Sequence, residues 1–242
     1  MTMLRNYLLQ RVALPAVMLA LLFLSLAYWW LDNVPHELFG TGLFGFLCRH
    51  IYLNRAWFRH LGRGTYDGKR IFEVTLHSGL IVNMAVLSMT SVAISQTVFA
   101  ALPIPNVRHL REIHWFSAYW VVIVTGLHVG LHWERLSAGV LHRFGVAQIN
   151  RAFRVLLWGV AAIGLLQGVA GFRMLNVWTK LTFNYSLEFW DFTDSVAPFF
   201  GHWLSVFLMP AILTHLSLAV WRQKARRSRI DRAIRDGKAR KA

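Results

Sequence analysis

Acidic residues and cysteine are the scarce components of this chain. Eleven Asp and Glu face 26 Lys and Arg, and the few carboxylates lie mostly outside the apolar runs. They offer no paired acid and base for hydrolysis. The single cysteine, Cys48, sits inside an apolar run, so neither a disulfide framework nor a cysteine-based zinc site is available. No glycine-rich phosphate loop follows a strand, because no convincing strand is present, and nucleotide or flavin binding of that kind is excluded. Charged residues make up only 15% of the 242 positions. They cluster rather than alternate with apolar ones.

What is abundant is hydrocarbon. Hydrophobic residues reach 56%, against about 45–50% in an ordinary soluble domain, and the mean hydropathy is +0.43. Eleven Trp and seventeen Phe add to the excess. This is the composition of an all-α polytopic membrane protein. The net charge of +15 is not a nucleic-acid footprint, because the Lys and Arg stand in short blocks between apolar runs and in the tail beyond Trp221. Beside membrane spans, positive charge is an orientation signal.

Six segments are long enough to cross a bilayer at about 20 residues each: approximately 12–31, 35–56, 72–99, 112–134, 152–172 and 197–221. The first is longer than a signal-peptide core, lacks a small-residue cleavage site and is expected to be retained. The second follows the turn signal DNVP, where Pro35 suits the first turn of a new helix. With a cytoplasmic N-terminus, the inside holds Arg5 and Arg11, the blocks Arg55–Arg70 and Arg135–Arg154, and ten basic residues from Arg222 to Lys241. The outside receives Arg108, Arg111, Arg173 and Lys180, with Glu188, Asp191 and Asp194 in the last loop. The positive-inside bias is coherent for six spans, with both termini cytoplasmic in a bacterial inner membrane. A five-span alternative without the second helix leaves the histidines of that helix unplaced. The tail, 222–242, reads as a basic segment drawn to anionic lipid. The long aromatic loop NVWTKLTFNYSLEFWDFTDSVAP reads as an interfacial lid.

Within these spans the histidines form a pattern. The run HELFGTGLFGFLCRH begins at His36 and ends at His50, with thirteen residues between them. HWFSAYWVVIVTGLH repeats that spacing from His114 to His128, 78 positions later. Each pair sits in a helix that follows another apolar helix, so residues about 12–58 and 72–135 are two hairpin repeats forming a four-helix bundle. Fourteen positions turn a helix by about four revolutions less 40°, so both imidazoles of a pair share a face, about 21 Å apart along the axis. The two helices run parallel, so His36 meets His114 near the outer surface and His50 meets His128 near the inner one. Facing imidazoles on either side of a porphyrin are bis-histidine haem b, and two such haems make an electron path across the bilayer. Small residues beside the ligands, Gly40 and Gly126 above all, leave room for the macrocycles.

HELFGTGLFGFLCRHIYLNRAW and IHWFSAYWVVIVTGLHVGLHW resemble the paired helices of a bacterial cytochrome b-like membrane family, long catalogued as a domain of unknown function. That family is itself similar to the dihaem core of cytochrome b. The resemblance covers roughly residues 12–135 and implies haem ligands at His36, His50, His114 and His128. It also implies electron transfer with quinone or flavin partners. It does not extend into the C-terminal hairpin, 150–221, which is expected to contribute to a quinone pocket or to a docking surface for a redox partner.

Other histidines offer alternatives. His77 can substitute at the inner haem, and His132, one turn beyond His128, can bond a propionate. His202 and His215 match the two haem depths, but thirteen positions put them about 140° apart on a regular helix, and only a kink at Pro210 would realign them. Two other functional classes fit the same residues: a non-redox anchor or assembly subunit, and a haem or metal transporter. A zinc transporter would cluster His with Asp or Glu within one or two turns, which pairs a leaflet apart do not do.

Overall fold

In the computed structural model, which describes residues 9–102, 104, 108–143, 150–184 and 189–239, every regular element is helical. A π-helical turn, Leu9–Ala13, leads into α1 (Leu14–Leu26), with Pro15 in its first turn. A break at Ala27 and a single turn, α2 (Tyr28–Leu31), bring the chain round to α3 (Asn33–Leu53). Asp32 makes the reversal with a φ of 68°, and its carboxylate accepts from the Asn33 N–H at 2.7 Å. With ψ at −177° this is a positive-φ, extended backbone that residues other than glycine rarely adopt. Pro35 falls in the first turn of α3, where its missing N–H costs nothing.

The chain continues through α4 (Ala56–His60), α5 (Gly68–Ile94), α6 (Arg108–Arg143), α7 (Arg151–Met174), α8 (Val177–Leu181) and α9 (Ala197–Ala239). Asp67 caps α5 by accepting from the Arg70 N–H at 2.8 Å, and Asn150 caps α7 by accepting from the Phe153 N–H at 2.7 Å. These short polar side chains satisfy N–H groups that have no carbonyl partner in the first turn.

Four helices are long and apolar enough to cross a membrane: α5, α6, α7 and α9. Their outward faces are greasy; on α7, Val155, Ile163 and Leu166 are 65%, 61% and 72% exposed. Soluble monomers rarely show apolar patches beyond a few hundred Å², so such a face suits hydrocarbon. The other two expected spans are less clear-cut. The run 12–31 is interrupted at Ala27, and the 13 residues of α1 reach only about 20 Å. The 21 residues of α3 reach about 31 Å, but His36, Glu37, Arg49 and His50 dilute its hydropathy. The basic tail is helical as far as Ala239, with residues 240–242 outside the described set. Arg222 in α9 pairs with Glu134 in α6 and ties those two helices together near the tail.

Packing groups the helices into two bodies that share one core: Leu22 and Leu43 belong to the same buried cluster as Val121 and Phe207, and Phe23 of α1 meets Phe207 of α9 at 6.0 Å between ring centroids. α1 lies against α3, whereas α5 packs on α6, and α9 is wedged between α6 and α7. The wedge depends on glycine. A Cβ on Gly126 would stand 2.5 Å from the Phe207 carbonyl oxygen and 2.7 Å from Pro210 Cγ, and one on Gly130 would collide with the Ala211 backbone. On α7, Gly168 and Gly171 meet Met209 and the His202 carbonyl in the same way. In a bilayer, where burying apolar surface drives little association, such close backbone approach is a main source of helix adhesion.

Gly130→Val is therefore expected to cost about 3 kcal/mol or more, by forcing α6 and α9 apart. Gly159→Ala, which meets nothing within 4 Å, should be neutral or slightly stabilising. Thermal unfolding of both variants in detergent would separate them.

Candidate functional site

α3 and α6, the two helices that carry the repeated histidine spacing, each have another helix as their main backbone partner, and they meet one another through side chains of the shared core. Between their N-terminal halves lies a cavity of about 320 Å³, lined by His36, Gly40 and Phe44 of α3 and by Arg111, His114 and Ala118 of α6. That volume falls in the range of small-molecule and cofactor sites.

His36 and His114 approach across this space with ring centroids 6.1 Å apart. The Nδ1 of His36 lies 2.7 Å from the Ser25 carbonyl oxygen. A carbonyl only accepts, so Nδ1 carries the proton and Nε2 keeps its lone pair. Buried His114 has its Nδ1 at 3.4 Å from both the Thr90 and Ser91 hydroxyls. Those hydroxyls donate to helix carbonyls, of Val86 and Leu87 for Thr90 and of Leu87 for Ser91. They are therefore left as acceptors, and His114 also holds its proton on Nδ1. Both rings thus have a free Nε2, oriented by a hydrogen bond at the opposite nitrogen, as metal-ligating histidines characteristically do.

The separation fits a shared metal. With metal–nitrogen bonds of about 2 Å and about 1 Å from nitrogen to ring centre on each side, two coaxial imidazoles would stand about 6 Å apart. The rest of the lining supplies open space and cations, alongside the carboxylate of Glu37. Gly40 faces open space that a Cβ would partly fill. Arg111 and Lys180 supply cations. Lys180, on α8, is only 9% exposed and stands 4.6 Å over the Trp115 ring; burial lowers its pKa from the ordinary lysine value. Gly126 does not face this space, because its missing side chain makes room for α9.

Glu37, beside His36, fixes the position of α3. Its carboxylate accepts from the Ser95 and Thr97 hydroxyls and from the N–H groups of Gln96, Thr97 and Val98, all between 2.6 and 3.1 Å. Five donors from the segment after α5 thereby converge on one side chain of α3.

The aromatic loop before α9 forms one side of the cavity. Phe189, Trp190 and Phe192 line it, Trp29 packs on Phe189 and Trp30 stacks on Phe192. Trp190 donates to the Ser195 carbonyl at 2.8 Å. Asp191 accepts from the Thr193 hydroxyl and N–H, which hold its pKa below the ordinary aspartate value. Residues 185–188 of this loop, Glu188 among them, lie outside the described residues.

At the other end of the two helices the arrangement is different. His128 is not in ring contact with His50 among the described residues. It meets His77 of α5 at 5.0 Å and His132 of α6 at 4.8 Å between centroids. The Nε2 atoms of His77 and His132 are 3.1 Å apart. The Nδ1 atoms of His50 and His128 are buried with no hydrogen-bond partner. Trp57 packs 5.2 Å from the His77 ring.

His202 belongs to neither cluster: its ring lies against Trp190 at 5.5 Å, and its carbonyl oxygen packs at Gly171. His215 makes no ring contact with either cluster among the described residues. His109 pairs with Glu112 at the surface, and the side chain of His142 lies outside the described set.

Sequence reasoning did not single out Glu37 or the cations Arg111 and Lys180 as site residues. It also did not assemble the triad His77, His128 and His132, although the i, i+4 spacing of the last two was visible. No protein-family model, curated protein or solved structure matches the chain.

Glu37→Ala should cost about 1–3 kcal/mol through loss of its charge-assisted bonds. It is expected to lower the detergent thermal midpoint by several degrees. Glu37→Gln, which still accepts, should lose less; equal losses in the two variants would count against the clamp.

Proposed function

We propose that this chain is a membrane electron-transfer protein, a b-type cytochrome with two haems, ligated by His36 with His114 and by His50 with His128. The observation that supports the reading best is the first pair: two imidazoles about one metal's width apart, each with Nε2 free and Nδ1 anchored, at equivalent positions of a repeat. Haem iron held by two histidines exchanges single electrons and has no vacant position for oxygen.

The residues around the pair have distinct tasks. Ser25, Thr90 and Ser91 orient the imidazoles and keep them in one tautomer. Arg111 and Lys180 balance carboxylates at the cofactor's edge. Phe44, Trp190 and Phe199 keep the site dry, which lets the protein tune a redox potential. Gly40 leaves space for the macrocycle face.

In this reading α1 with α2, and α3, add two spans to the four long apolar helices, and both termini are cytoplasmic in a bacterial inner membrane. The cluster of His36 and His114 then lies toward the periplasm and that of His50 and His128 toward the cytoplasm. Electrons would pass between the quinone pool and a partner protein, with the C-terminal hairpin and its aromatic loop nearest the outer haem.

The test is direct. Protein purified in detergent from haem-replete cells should give dithionite-reduced minus oxidised spectra of low-spin haem b, and a pyridine haemochrome assay should give about two haems per chain. His114→Ala should lower that count to about one, whereas His202→Ala should leave it unchanged. A colourless protein would overturn the reading in favour of a non-redox anchor. Loss of a haem in His202→Ala but not in His114→Ala would overturn the ligand pairing alone.

A further inference from the structure

The triad at the second cluster has a chemistry of its own. His128 and His132 are four positions apart on α6, so both rings occupy one helix face, and His77 reaches them from α5. One ligating nitrogen from each histidine lies within 4.8 Å of the other two. A zinc ion with tetrahedral bonds of about 2 Å sets its ligand nitrogens about 3.3 Å apart, and the 3.1 Å between the Nε2 atoms of His77 and His132 is already close to that edge.

Hydrogen bonding alone leaves the cluster incomplete. A neutral imidazole has one donor and one acceptor. The three rings share the single His77–His132 contact, while the Nδ1 of His128 is buried with no partner. A cation would take one lone pair from each ring. Glu73, one turn before His77 on α5, lies on the same helix face, where it pairs with Lys69 at 3.2 Å.

We propose that His77, His128 and His132 form a binding site for a divalent transition-metal ion of the zinc type, with the fourth position left to water. Three histidines and an open position are a recognised zinc coordination set. The site meets the cytochrome reading only at His128, which either the metal ion or the second haem can take, but not both. Occupancy by the ion therefore blocks the second haem.

The experiment uses full-length His50→Ala protein, which lacks one expected ligand of the second haem but keeps the triad. It is purified without a histidine tag, treated with chelator and dialysed against Zn²⁺. Bound zinc is counted by elemental analysis, and haem by pyridine haemochrome on the same sample. The expected result is about one Zn²⁺ per chain alongside the haem at His36 and His114. Adding His77→Ala should weaken zinc binding at least tenfold, whereas adding His202→Ala should leave it unchanged. No zinc above the chelated control, or binding indifferent to His77→Ala, would overturn the site. Because haem is counted separately, zinc without any haem would sink the cytochrome reading and leave the metal site standing.

Discussion

The carboxylate of Glu37 sets the relation between the two bodies of the fold. α3 packs on α1, whereas α5, α6, α7 and α9 hold one another. Leu43 ties α3 into the shared apolar core, but dispersion contacts on a helix face have little directional preference and leave its exact depth open. Five hydrogen bonds from residues 95–98 to one carboxylate remove that freedom. Charge-assisted bonds of this kind are short and directional. His36 is the adjacent residue, so its depth relative to His114 is fixed by the same clamp. The seam between the bodies is then kept open as a cavity instead of closing into a helix–helix contact.

The rigid side of the seam is built differently. Gly126 and Gly130 bring α6 onto α9, while Gly168 and Gly171 bring α7 onto it. These contacts turn α6 so that one face is spent on α9 and another presents His114, Ala118 and Arg111 to the cavity. The aromatic loop then spans both bodies, with Trp29 and Trp30 from the α1–α3 side packing on Phe189 and Phe192. A cofactor-sized space bounded by one glycine-locked wall, one carboxylate-locked wall and an aromatic cover is consistent with a preformed site.

Much of this was legible from periodicity. The thirteen-residue gaps and the 78-residue offset predict that His36 and His114 share a depth and a face, and the two rings do meet. Pro35 marks the start of α3 to within two residues. Other features had no local signature. Glu37 looks like any helix-end carboxylate until the donors of residues 95–98 fold back to it. Gly126 is small because of Phe207 and Pro210, some eighty positions away, and its spacing from His128 suggested the wrong neighbour. His77 lies on a helix without a repeated partner, so only the register of α5 on α6 reveals that it meets His128.

The two ends of the repeat therefore share a sequence pattern but differ as sites. At the His36 end each imidazole has an acceptor for its Nδ1 proton, cations stand nearby, and α3 is pinned within one residue of the ring. At the His50 end α3 has no equivalent clamp among the described residues, and His50 and His128 keep buried Nδ1 atoms unpartnered. Two histidines of adjacent turns and helices crowd His128 instead. Unsatisfied buried nitrogens cost free energy unless a ligand completes them, so the His50 end is the less self-sufficient of the two. An internal repeat carries spacing faithfully, but the environment of each copy is supplied by whichever helices pack beside it. Here those neighbours make one end a facing pair of anchored imidazoles and the other a cluster of three rings around His128.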